Sequence, residues 1–153
     1  MRGMRHVLIL GSEMRTFAGT FVGLVAMIAL AAGCGGGDGV GGDGTVVVTM
    51  GKPSEYAMTP EPAETSAGTV TFQVKNEGTL VHEMVVIKTD KGAANLDMPN
   101  GEADETDAVD EVADLPVGES KTLELDLKAG KYALVCNLPG HYAAGMYAEF
   151  TVK

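Results

Sequence analysis

From Thr45 onward the chain is dominated by a two-residue alternation of apolar and polar positions, the pattern of strands with one buried face. Thr69–Val74 places Val70, Phe72 and Val74 on one side, and Ser120–Leu127 does the same with Leu123, Leu125 and Leu127. Tyr132, Leu134 and Cys136 share a face, as do Met146, Ala148, Phe150 and Val152, and His82, Met84 and Val86 in the run ending near Lys88. Thr45–Met50, with Val46, Val47 and Val48, predicts the first strand. Pro53, Pro60 and Pro62 interrupt the next stretch, so Ser54–Ala67 is expected to be loop with one edge strand around Tyr56–Met58. Turns are expected at Lys75–Gly78 and Ala129–Gly130. About seven strands with no long helix between them predict an all-β fold, a Greek-key β-sandwich over 45–153.

One segment departs from this rhythm. Asp90–Gly118 is an acidic insertion, with seven acids in the thirteen residues from Glu102 to Asp114. Val109, Val112 and Leu115 recur every three residues, which predicts a short helix packing one apolar edge. The acids fit either a docking patch for a cationic partner or a solvated face, and charge runs favour the second.

Before Thr45 the pattern changes altogether. Phe17–Gly33 carries no charge, is preceded by Arg2, Arg5 and Arg15, and ends in Leu30-Ala31-Ala32-Gly33-Cys34. Residues 1–33 resemble a bacterial lipoprotein signal peptide, which implies lipidation of Cys34 and an extracytoplasmic, membrane-anchored protein; an uncleaved anchor is the alternative. Starting at Met14 would make the signal more usual. Residues 34–44 then form the lipidated cysteine and a glycine-rich tether, with seven glycines between Gly35 and Gly44 and a reach on the order of 20 Å. The net charge of −10 becomes more negative without the leading arginines, which disfavours nucleic acid as a partner.

The chemistry concentrates in Cys136-Asn137-Leu138-Pro139-Gly140-His141-Tyr142-Ala143-Ala144-Gly145-Met146. A thiolate, an imidazole and a thioether at five-residue intervals on one loop suit copper, whereas zinc and iron–sulfur sites need more thiolates or imidazoles. A second imidazole must come from elsewhere. Of three histidines, His6 falls in the signal segment, which leaves His82, set in an apolar strand where aliphatics are the rule. Met84 shares its face and is expected to be core.

These residues resemble the cupredoxins, the small blue copper proteins typified by plastocyanin, azurin, auracyanin and rusticyanin. The resemblance covers Thr45–Lys153 and rests on the turn into His82, on Gly130-Lys131-Tyr132 leading to Cys136, and on Cys-x4-His-x4-Met. It implies His82, Cys136 and His141 as equatorial ligands of one copper ion and Met146 as a weak axial one. Many members carry Asn after the first histidine, tying the two ligand segments together; here that residue is Glu83. The implied function is one-electron transfer by a monomer, with a redox partner such as a cytochrome or oxidase docking near His141. Leu138, Pro139, Ala143 and Ala144 would form the apolar exit around that ring. A copper storage or delivery protein would use the same ligands, and a metal-free interaction domain on a lipid anchor is a third reading. Catalysis is not expected, because there is no second histidine cluster, no second cysteine on the loop and no nucleophile–histidine pair.

Overall fold

The computed structural model describes residues 44–153; the expected signal peptide, Cys34 and most of the expected tether lie outside the described residues. Among the described residues, nine strands build two sheets. In chain order they are β1 (Thr45–Met50), β2 (Met58–Glu61), β3 (Glu64–Thr65), β4 (Gly68–Asn76), β5 (His82–Lys88), β6 (Ala108–Leu115), β7 (Ser120–Leu127), β8 (Gly130–Val135) and β9 (Tyr147–Val152). One sheet has the order β2-β1-β4-β7 and the other β3-β9-β8-β5-β6. Both are mixed, since β1 runs parallel to β4 and β3 parallel to β9. The edge strand expected around Tyr56–Met58 begins only at Met58, as β2, where Pro60 sits at a sheet margin that needs no further N–H donor, and β3 adds a second edge strand within the expected loop.

The predicted inward faces meet between the sheets. Val70, Phe72 and Val74 pack with Tyr132, Leu134, Cys136, Met146 and Phe150 in one buried cluster, with Leu123 and Leu125 half-buried beside it. Phe72 and Phe150 touch edge-to-face across the gap, with ring centres 5.3 Å apart. Met84 is fully buried in the same cluster, as expected of core.

The acidic insertion does not form the expected helix. Its second half is strand β6, paired antiparallel to β5. His82 faces Leu115 and Met84 faces Val112, so two steps on β5 match three on β6. That mismatch is a β-bulge, with Asp114 in the left-handed region at φ +43°. The bulge turns both Val112 and Leu115 inward at a three-residue spacing, while Val109 stays exposed. A helical period was thus produced by a strand with one extra residue.

The first half of the insertion covers the outer face of the five-stranded sheet. Val85, Ile87, Ala133 and Val135 point away from the sandwich core, and Ala93, Ala103 and Tyr142 bury them in a second cluster. This explains why β5 and β8 are apolar on both faces near their centres: both faces are covered.

Candidate metal centre

Three strand ends converge at one pole of the sandwich. His82 opens β5, Cys136 directly follows β8, and Met146 directly precedes β9. The loop between Cys136 and Met146 closes on itself, because Cys136 N–H donates to Met146 C=O at 3.0 Å and Met146 N–H to His141 C=O at 3.1 Å. Gly140 and Gly145 sit at φ +83° and +96°, the left-handed turns that the loop needs.

The donor atoms face one another. His82 Nδ1 lies 3.3 Å from His141 Nδ1, and Cys136 Sγ lies 3.2 Å from His141 Nδ1 and 3.9 Å from His82 Nδ1. Such spacing suits a single ion held by bonds of roughly 2.0–2.3 Å, the usual range for imidazole and thiolate. His82, Cys136 and Met146 are fully buried, and His141 is half-buried. Burial pushes the Cys136 thiol above its ordinary range and, aided by the neighbouring His82, holds His141 below its own. Both shifts disfavour the charged form, thiolate or imidazolium, in the bare protein, and a bound cation reverses that balance for the thiol.

Glu83 takes over the tie expected of an amide side chain. Its Oε1 accepts from Asn137 N–H at 2.9 Å, and its own N–H donates to Cys136 Sγ at 3.4 Å. Burial raises its carboxyl pKa, with Glu111, Glu105 and Asp114 adding repulsion.

The loop residues beside the ligands are fastened to the insertion. Asn137 accepts from Ala103 N–H at 2.6 Å and donates to Ala103 C=O at 2.9 Å and to Glu105 Oε1 at 2.7 Å. The Tyr142 hydroxyl donates to Ala93 C=O at 2.7 Å and accepts from Leu96 N–H at 3.1 Å.

Two further residues come from the β1–β2 loop. Glu55 Oε1 lies 2.9 Å from His82 Nε2, and the Tyr56 ring meets the His141 ring edge-on at 5.3 Å. Glu55 also accepts from Thr79 Oγ1 and from the Thr79 and Leu80 N–H groups. Those bonds, led by the Thr79 hydroxyl, lower its pKa to about 2. Nothing in the local pattern of Pro53–Met58 marks these two side chains. Their role exists only once the loop folds against the turn before His82.

His82, Cys136 and His141 therefore meet at one pole with Met146 packed beside Cys136, and Met84 is buried in the same core cluster. A search of curated proteins finds no match. Among solved structures, reduced auracyanin from the photosynthetic bacterium Roseiflexus castenholzii is 26% identical over 74% of this chain and 99% of its own, with a TM-score of 0.54. Auracyanin A, a "blue" copper protein from Chloroflexus aurantiacus, is 24% identical over 71% and 98% (TM-score 0.52). Rusticyanin in its reduced form is 20% identical over 71% and 78%, with a TM-score of 0.50. The last two show a shared fold. The model of copper binding proteins of the plastocyanin/azurin family matches residues 45–153, the whole β-domain. With His82, Cys136, His141 and Met146 arranged as a type 1 copper site, the chain belongs to that cupredoxin family.

Proposed function

We propose that the protein is a mononuclear blue copper protein carrying single electrons between redox partners outside the cytoplasm, held to a membrane by lipid on Cys34. The observation that carries the reading is the convergence of one cysteine sulfur and two imidazole nitrogens within 4.8 Å of one another. Copper held by such a donor set supplies a Cu(II)/Cu(I) couple. His82, Cys136 and His141 are the equatorial ligands in this reading, and Met146, buried beside Cys136, is the axial one.

The chain's own part is to hold these donors still and to keep water out. β8 and β9 fix Cys136 and Met146 through the ladder that ends in the Val135–Tyr147 pair, and β5 fixes His82 at its first residue. Donors that cannot relax keep the geometry similar in both oxidation states, which lowers the reorganisation an electron must wait for. His141 is the ligand that reaches the surface. Around it Pro139, Ala143 and Ala144 are exposed, and so is Tyr56 at its ring edge. An apolar rim of that size fits a weak, short-lived encounter with a cytochrome or oxidase.

Adding Cu(II) anaerobically to the metal-free protein and recording visible and electron paramagnetic resonance spectra tests the site. An intense thiolate-to-copper band with narrow hyperfine splitting is expected, and its loss in Cys136→Ser. Colourless protein overturns the reading. Copper storage or delivery uses the same donors, and rapid transfer of Cu(I) to a chelator, in place of reversible cycling with retained metal, would favour it.

A further inference from the structure

We propose that Glu55 is a positioning residue for this centre: its carboxylate holds the His82 ring with the proton on Nε2 and the Nδ1 lone pair turned toward Cys136 and His141. The inference rests on reading His82 as a copper ligand.

A carboxylate can only accept, so the 2.9 Å contact from Glu55 Oε1 requires a proton on His82 Nε2. A neutral ring then leaves Nδ1 bare, and Nδ1 is the atom 3.3 Å from His141 Nδ1. The acceptor is in place independently of His82. Thr79 N–H lies 3.0 Å from both Glu55 oxygens, Thr79 Oγ1 2.7 Å from Oε2, and Leu80 N–H 3.0 Å from Oε1. His82 is fully buried and cannot turn to water for an alternative partner.

Two glycines make the approach possible. A Cβ on Gly78 would stand 2.6 Å from Glu55 Oε1 and 2.9 Å from His82 Nε2, inside the contact itself. A Cβ on Gly51 would stand 2.3 Å from Gly78 Cα, so the β1–β2 loop reaches the turn before His82 only where both lack side chains. Carboxylate, imidazole and metal in line make the imidazole a stronger donor, and an anion one ring away favours the more highly charged ion, Cu(II) over Cu(I).

The test begins with the metal-free protein, 15N-labelled, by long-range proton–nitrogen NMR of the histidine rings. The expected result is the Nε2–H tautomer alone at His82; an Nδ1–H tautomer overturns the proposal without any variant. Glu55→Gln then sets an amide against the Thr79 and Leu80 donors, and Gly78→Ala drives a methyl into the contact. Both are expected to weaken Cu(II) binding by about 10- to 100-fold in chelator competition, with Cu(I) binding weakened less. An unchanged Cu(II)/Cu(I) affinity ratio in both variants overturns it. Should either variant fail to fold, the wild-type tautomer decides. Wild-type protein that shows the thiolate band but the wrong tautomer sinks the role of Glu55 alone, whereas absence of the band sinks the copper reading beneath it.

Discussion

The site has two supports, and they are built differently. On one side the β1–β2 loop touches the ligand rings themselves, Glu55 at His82 and Tyr56 at His141, through polar and edge contacts with both residues partly exposed. On the other, the insertion after β5 pairs Leu115 with His82 through β6, and its first half works one residue away from the ligands. It holds the neighbours of ligands, Asn137 beside Cys136 and Tyr142 beside His141, by buried hydrogen bonds to its backbone. A contact to a ring nitrogen sets which nitrogen is free and how basic it is. A contact to the adjacent residue sets only where the ligand stands and how far it can move. The first support therefore acts on the chemistry of the donors and the second on their rigidity, and breaking each should leave a different signature.

The largest loss is expected where the first support is founded. Gly51→Ala adds a Cβ against Gly78 backbone at φ +80°, where no flexible side chain can absorb it. Strain of about 1–3 kcal/mol comes on top of the backbone clash. With the loop displaced, the midpoint of thermal unfolding should fall by on the order of 10 °C. The same variant should lose the single His82 tautomer. A stable Gly51→Ala protein with an unchanged His82 ring would show that the loop does not need its close approach.

Asn137→Ala comes next and strikes the second support. It removes three hydrogen bonds and leaves the Ala103 N–H and C=O unpaired, a cost of about 2–4 kcal/mol. Faster amide exchange around Ala103 and a broadened thiolate band are expected, while the His82 tautomer stays as in the wild type. A shifted tautomer would merge the two supports into one network. Tyr142→Phe is the milder form of the same break. Losing one hydroxyl from Ala93 C=O and Leu96 N–H should cost about 1–2 kcal/mol. Exchange should quicken at Leu96, with the copper spectrum retained.

The contrast also marks what a sequence can disclose. The sandwich was legible because alternation at Val70, Phe72 and Val74, or at Tyr132, Leu134 and Cys136, is a local consequence of burying one strand face. The four donors were legible because three lie on one loop and the fourth is the one histidine in an apolar strand. Val112 and Leu115 misled because a bulge at Asp114 changes the period of a strand, and a bulge depends on its partner's register. Glu83 was visible as a departure, yet only the fold shows its carboxylate receiving the Asn137 N–H. Glu55 and Tyr56 carried no local signal at all. Both supports are tertiary contacts between segments more than twenty residues apart, and no periodicity encodes them.

The smallest effect on stability is expected at the surface between the supports, and it separates docking from both. Ala143 is exposed two residues after His141 and takes no part in the hydrogen bonds and ring contacts that make up the two supports. Ala143→Glu should change stability by no more than about 0.5 kcal/mol and leave the thiolate band in place. Its effect belongs to encounter. Two copies exchanging an electron through the rim around His141 would then bring two new carboxylates face to face in a chain already at −10. Self-exchange, read from NMR line broadening in mixtures of oxidised and reduced protein, should slow and should recover as salt screens the repulsion. Unaltered self-exchange at low ionic strength would remove the rim from the electron's path and leave His141 as a ligand without a docking role.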